Sequence, residues 1–232
     1  MTSLETKQAA APHNRRPEDT SSSAKPIRVM VADDSVVARV VARRALKSAP
    51  NVQVVAAVAD GQSAINRLPT ARPDVLILDI EMPIKSGLEA LPELLALDPG
   101  LKVVIVSSLT KHNADICMTA LRAGASDVLA KPDSNPDAVA KFSTELCTKV
   151  VNLGGIPRAK QNSAGADTAL TARPRPTTRA TTHNWGEIAA IAIGSSTGGP
   201  QALTAALNKW SDQGATQPVF ITQHMPPMFT RS

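Results

Sequence analysis

The 232-residue chain contains no tyrosine, three phenylalanines and two tryptophans, so aromatic side chains amount to 2% of it. Such a surface offers no stacking platform for single-stranded nucleic acid. There are two cysteines, Cys117 and Cys147, far apart and each within a helical pattern. That excludes a disulfide framework and a thiolate metal site, and it predicts reduced thiols. No apolar run is long enough to span a bilayer, and the first residues are polar where a signal peptide would be apolar. A block of one charge is also missing. The net charge is +5, yet residues 26–151 carry as many acidic as basic side chains, and the excess sits in residues 1–25 and from 152 onward. No folded segment therefore reads as a nucleic-acid footprint. These absences predict a soluble, cytoplasmic protein that neither enters a membrane nor binds nucleic acid.

What is present is a regular alternation. Residues 1–25 have low apolar content and no periodicity, and are expected to form a disordered tail. From 26 onward, short β-branched runs alternate with amphipathic stretches. Strands are expected at 27–32, 52–58, 74–79, 102–108 and 126–130. Helices are expected at 35–48 (with Ser35 as N-cap), 61–69, 86–97, 112–123 and 136–150. Continuous apolar strands between amphipathic helices require a parallel sheet covered on both faces. The α/β class with a five-stranded doubly wound sheet, order 2-1-3-4-5, is the common solution, giving a flavodoxin-like domain over 26–151. Residues 152–187 lose the periodicity and contain "ARPRP", which predicts a flexible linker. At 188 the alternation resumes, with a strand at 188–193, a helix at 200–210 and a strand at 218–223. Three elements in 188–232 bury too little surface to stand alone. They are expected to open a second doubly wound α/β domain that is incomplete within these residues.

In a doubly wound sheet, ligands bind beyond the carboxyl ends of the strands, where the strand order reverses. The first strand ends in Asp33-Asp34 and the third in Asp79, so three carboxylates converge on that edge. Each raises the cost of ionising the others unless a cation lies among them. Such hard oxygen donors suit Mg²⁺. The fourth strand ends in Ser107-Ser108, and Lys131 follows the fifth. The motifs "VADDS", "LILDIEMP", "IVSS" and "DVLAKP" resemble the receiver domain of bacterial response regulators. The resemblance implies Asp79 as phosphoacceptor and Asp33, Asp34, Asp79 and the backbone carbonyl of Glu81 as the Mg²⁺ site. It further implies Ser107 as the switch hydroxyl and Lys131 as a partner of the phosphoryl group. Two positions depart from the usual pattern. Val128 stands where many receivers carry an aromatic, and Ser86 where an Asp commonly precedes the glycine.

The stretch "AIGSSTGGPQAL" reads as strand, tight turn and helix, with Ser196 in the turn and Pro200 in the first helical turn. It matches G-x-S-x-G, which alone is a weak signal. A phosphate-binding loop is the competitor, but the stretch lacks both the P-loop lysine and the G-x-G-x-x-G spacing. "VFITQHMPPMFT" places His224 at the end of the next strand, on the same sheet edge as Ser196. A general base needs that geometry to take a proton from a hydroxyl. Asp212 is the only acid after 187, and it falls at the wrong edge to orient the imidazole. The orienting acid is therefore expected beyond residue 232, or absent.

These two segments resemble the catalytic domain of the chemotaxis protein-glutamate methylesterases of the CheB type. The order of receiver, linker and catalytic start is that family's order. The resemblance implies Ser196 as nucleophile and His224 as general base, with no cofactor for the ester chemistry. It also implies chemoreceptors as substrates and a chemotaxis histidine kinase as phosphodonor. The activity implied is hydrolysis of glutamate methyl esters and deamidation of glutamines, with the receiver restraining the esterase until it is phosphorylated. The alternative is a non-enzymatic phospho-receiver switch, since the 232 residues hold neither the triad acid nor most of a catalytic domain.

Overall fold

The computed structural model describes residues 25–108, 111–156, 189–212 and 217–225. The expected tail up to residue 24 and most of the expected linker, 157–187, lie outside the described residues. The first unit runs β1 (Ile27–Ala32), α1 (Val36–Lys47), β2 (Val52–Val58), α2 (Gly61–Ala71), β3 (Val75–Asp79), α3 (Gly87–Leu97), β4 (Lys102–Ser107), α4 (Lys111–Arg122), β5 (Asp127–Ala130) and α5 (Pro136–Gly154). Its strands pair in parallel in the order β2-β1-β3-β4-β5.

The apolar strands explain the two layers. Successive side chains of a strand point to opposite faces. Met30, Leu76, Leu78, Val103 and Ile105 bury against α2, α3 and α4. Their neighbours Val29, Val31, Ile77, Val104 and Val106 bury against α1 and α5. Both faces are therefore apolar, and β1, β3 and β4 in the middle carry no polar alternation. All three carboxyl-bearing or hydroxyl-bearing strand ends fall at one edge because every strand is parallel.

Caps fix where the helices start. Ser35 caps α1, its Oγ accepting from the Ala38 N–H at 3.3 Å. Ser86 caps α3 in a reciprocal box, with the Glu89 carboxylate accepting from the Ser86 N–H at 2.9 Å. An Asp at that position would also serve as an N-cap, so the capping role does not distinguish Ser86 from the usual receiver residue.

Several element boundaries differ from the sequence expectation by one to four residues, and three of these shifts have a clear physical cause. Helix α2 passes Pro69 and ends at Ala71, because burial of Leu68 and Ala71 outweighs the one hydrogen bond that a proline in the last turn removes. Helix α5 continues four residues beyond 150, into what reads as linker, because Leu153 extends the buried stripe of Leu146 and Val150. The strand expected at 188–193 is instead β6 (Ile191–Ser195). Its limits are set by the partner strand β7 (Val219–Gln223) through parallel pairs running from Ile191–Val219 to Ser195–Gln223. Helix α6 (Gly199–Asp212) connects the two. This βαβ unit leaves Phe220 66% exposed, so the described residues do not cover its sheet.

The two units touch. The Gln201 side-chain amide donates to the Gly124 carbonyl. An open groove of about 640 Å³ lies between Met118, Leu121 and Arg122 of α4 and Leu203 and Leu207 of α6, with Met225 also lining it. Among the described residues, no helix is long and apolar enough to cross a membrane.

Candidate functional site

The parallel sheet brings the predicted acidic residues together. One carboxylate oxygen from each of Asp33, Asp34 and Asp79 lies within 4.8 Å of the others. Asp33 and Asp79 are buried and Asp34 is exposed, so the cluster opens to solvent on one side. The Glu81 carboxylate stands outside this group, while its backbone N–H donates to Asp79 Oδ1 at 3.4 Å. Lys131 reaches in from the loop after β5. Its Nζ is 2.6 Å from Asp79 Oδ2 and 3.4 Å from Asp33 Oδ2.

Burial pushes the Asp79 carboxyl up to about 6, against the opposing pull of the Lys131 ammonium. Burial works against the charge on Lys131 as well, but Asp79 and Asp33 outweigh it, and its pKa is raised. A second cation among these oxygens would relieve the cost of holding Asp79 ionised, so the donor set fits a hard divalent ion. Ser107 is buried at the same edge, its Oγ without an oxygen or nitrogen partner among the described residues and set against the buried Cys117 thiol, a weak partner that an anionic oxygen could replace.

Sequence reasoning missed Arg39. Its guanidinium donates to the carbonyls of Asp33 at 2.6 Å and Asp34 at 2.9 Å, tying down the turn that carries both carboxylates. The available signal was an arginine on the second turn of the helix that follows the acidic pair. Val128 is 1% exposed within the layer beneath α4, so the position that carries an aromatic in many receivers is here aliphatic and packed.

The second constellation stands on β6, α6 and β7. The chain leaves β6 at Ser195, turns through Ser196 and Thr197, and enters α6 at Gly199. The Gly199 N–H donates to the Ser196 carbonyl at 2.7 Å, and Gly198 takes φ +74°, a left-handed conformation that a side chain would strain. His224 follows β7, and its backbone N–H donates to the Ser195 carbonyl at 2.8 Å. That bond aligns the two strand ends and leaves Ser196 Oγ 3.2 Å from His224 Nδ1. A hydroxyl and an imidazole at this distance have the geometry that a nucleophile and its general base require. Among the described residues, no carboxylate is hydrogen bonded to the His224 ring. Asp212 closes α6 at its far end, about 20 Å along the helix axis from Gly199 at 1.5 Å per residue.

Two family models match the chain. Residues 29–142 match the response regulator receiver domain family, and residues 191–232 match the CheB methylesterase family. The chain is 45% identical, over 90% of its length, to a protein-glutamate methylesterase/protein-glutamine glutaminase of Rhodospirillum centenum. It is 42% identical, over 92% of its length, to such a protein from Paramagnetospirillum magneticum. It spans 59% and 60% of the lengths of those two relatives. The fold is similar to the crystal structure of the response regulator domain of CheB from Thermotoga maritima, with a TM-score of 0.51 and 37% identity. That match covers 57% of this chain and 98% of the solved domain. With both families matched in this order, and with relatives of this identity along nine tenths of its length, the chain belongs to the CheB-type protein-glutamate methylesterases.

Proposed function

We propose that the protein is a phosphorylation-regulated esterase that hydrolyses glutamate γ-methyl esters on chemoreceptors in the cytoplasm and deamidates receptor glutamines. The observation that carries this reading is the 3.2 Å approach of Ser196 Oγ to His224 Nδ1 at one edge of a parallel βαβ unit. The receiver-type acidic pocket lies on the same chain.

In the ester reaction, Ser196 Oγ attacks the γ-carbonyl while His224 Nδ1 takes its proton. The carbonyl oxygen becomes an oxyanion beside the N-terminal end of α6, which begins three residues after Ser196. The imidazolium then gives its proton to the departing oxygen, and methanol leaves. Water adds to the acyl-enzyme, with His224 as base again, and the product is the free glutamate. A glutamine presents the same carbonyl and loses ammonia instead. Relatives of this family are longer than the chain, and the carboxylate that orients His224 is expected in the part of the family's catalytic domain that these residues do not span.

In the receiver, Asp79 takes a phosphoryl group from a chemotaxis histidine kinase. Asp33, Asp34, Asp79 and the Glu81 carbonyl would hold Mg²⁺, which neutralises charge as the phosphoryl group is transferred. Lys131 would move its ammonium from the Asp79 carboxylate to the phosphoryl oxygens, and the buried Ser107 hydroxyl would donate to one of them. The receiver restrains the esterase through the contact between α4 and α6, and the new charge at Asp79 biases that interface.

The test uses the full-length protein and methanol release from methylated receptors. Ser196→Ala should abolish release while leaving phosphate uptake by Asp79 intact, and Asp79→Asn should abolish uptake and the activation that follows it. Methanol release by Ser196→Ala would refute the nucleophile assignment.

A further inference from the structure

The Gln223 side chain makes three polar contacts around the Ser196–His224 pair, whereas the side chains of Ser196 and His224 contact one another. It is the last residue of β7, directly before His224. Its Oε1 accepts from the Ser195 hydroxyl. Its Nε2 donates to the Ser196 carbonyl at 2.9 Å and to the His224 carbonyl at 3.1 Å. The amide therefore bonds to the residue before the nucleophile, to the nucleophile itself and to the base. Its orientation is chemically determined, since a flipped amide would set its oxygen against two carbonyls.

The helix start is shaped around the same group. A Cβ at Gly199 would overlap Gln223 Oε1 and come within 2.7 Å of Ser195 Oγ. Glycine at the first position of α6 thus leaves the space that the amide and the hydroxyl occupy. The backbone bond from His224 N–H to the Ser195 carbonyl joins the same two strand ends, so the amide adds side-chain links to an existing backbone one.

We infer that Gln223 is a positioning residue for the esterase reaction, a clamp that sets the distance and direction between Ser196 Oγ and His224 Nδ1, with Ser195 as its anchor and Gly199 as its seat. This inference rests on the assignment of Ser196 and His224 as nucleophile and base. It predicts that weakening the clamp slows acylation and leaves substrate binding alone. Displacing a catalytic group by about 1 Å can cost on the order of a hundredfold in rate.

The experiment uses the full-length protein and two readouts. One is kcat and KM for methanol release, expressed per site titratable with a fluorophosphonate. The other is the rate at which that fluorophosphonate modifies Ser196. Gln223→Leu should lower both kcat per site and the modification rate by roughly ten- to a hundredfold, with KM changed less than twofold. Gln223→Glu should be slower still, because its carboxylate opposes two carbonyl oxygens. Gly199→Ala, which keeps the amide but displaces it, should match Gln223→Leu. Ser195→Ala should lose several-fold, and it carries the test if Gln223→Leu does not fold. A purely structural role would reduce the number of titratable sites and leave kcat per site unchanged; that result overturns the inference. So does a modification rate within twofold of wild type in Gln223→Leu and Ser195→Ala, with Ser196→Ala unreactive. In that case Ser196 keeps its assignment and only the clamp is lost. If the wild-type protein does not react at Ser196, the nucleophile assignment fails and the clamp fails with it.

Discussion

The buried ion pair between α5 and β5 gives a stability prediction that can be worked from distances. Lys149 Nζ lies 2.9 Å from Asp127 Oδ1, with the two side chains 3% and 2% exposed. Glu145, one turn earlier on α5, is the only other acidic partner of Lys149 among the described residues, at 3.8 Å and partly exposed. Asp127 Oδ1 also accepts from the Val128 N–H at 2.8 Å, while Oδ2 is buried with no partner. The carboxylate therefore depends on Lys149 for its countercharge. Lys149→Met keeps the apolar stem and removes the charge. Stranding one ion of a buried pair costs about 3–5 kcal/mol. For a domain of this size that is roughly 10–20 °C in Tm, and a large part of an ordinary domain's stability of about 5–15 kcal/mol. Asp127→Asn in the Lys149→Met background removes the stranded charge and keeps the acceptor for Val128, so it should recover at least half of the loss. The measurement is urea denaturation followed by circular dichroism on residues 25–156, which contain the whole five-stranded sheet, for wild type, both single variants and the double. A loss below about 1 kcal/mol in Lys149→Met, or no recovery in the double variant, would refute the reasoning that this pair is held by mutual neutralisation.

Further outcomes follow from the receiver pocket and the helix caps. Mg²⁺ affinity, followed by isothermal titration, should fall as the pH drops through about 6, because burial holds the Asp79 carboxyl there and a protonated carboxyl is a poor ligand. In Asp79→Asn that midpoint should vanish. Arg39→Ala should weaken Mg²⁺ binding several-fold without removing any carboxylate, since it frees the Asp33-Asp34 turn; unchanged affinity would show that the turn holds its shape without the guanidinium. Ser86→Ala should cost about 1 kcal/mol by deleting the cap of α3, whereas Ser86→Asp should stay within a few tenths of a kcal/mol of wild type in the same denaturation assay.

The receiver sheet was legible because its information is local and repeated. Each of the five strands is a short β-branched run, each helix is amphipathic, and chirality permits few ways to connect them. The acidic pocket was legible for the same reason: once the strands are parallel, whatever ends them must share an edge, and Asp33, Asp34, Asp79, Ser107 and Lys131 all end or follow strands. The limits of elements were less legible. Leu153 carries α5 past the expected end through burial against a core that only the assembled sheet provides, and β6 starts at Ile191 because its register is dictated by β7, 28 residues away.

The sequence by itself determined the fold class, the strand order and the identities of the chemical groups at the strand ends, because periodicity and residue type are properties of the chain. Contacts between side chains distant in sequence were decided only by the tertiary structure. The Lys149–Asp127 pair, the reach of Arg39 back to two carbonyls and the three bonds of Gln223 each depend on the rotation and register of packed elements, which no local pattern encodes. The same holds for the serine and histidine of the second unit: the letters place Ser196 and His224 at strand ends, and the parallel pairing of β6 with β7 brings their reactive atoms to 3.2 Å.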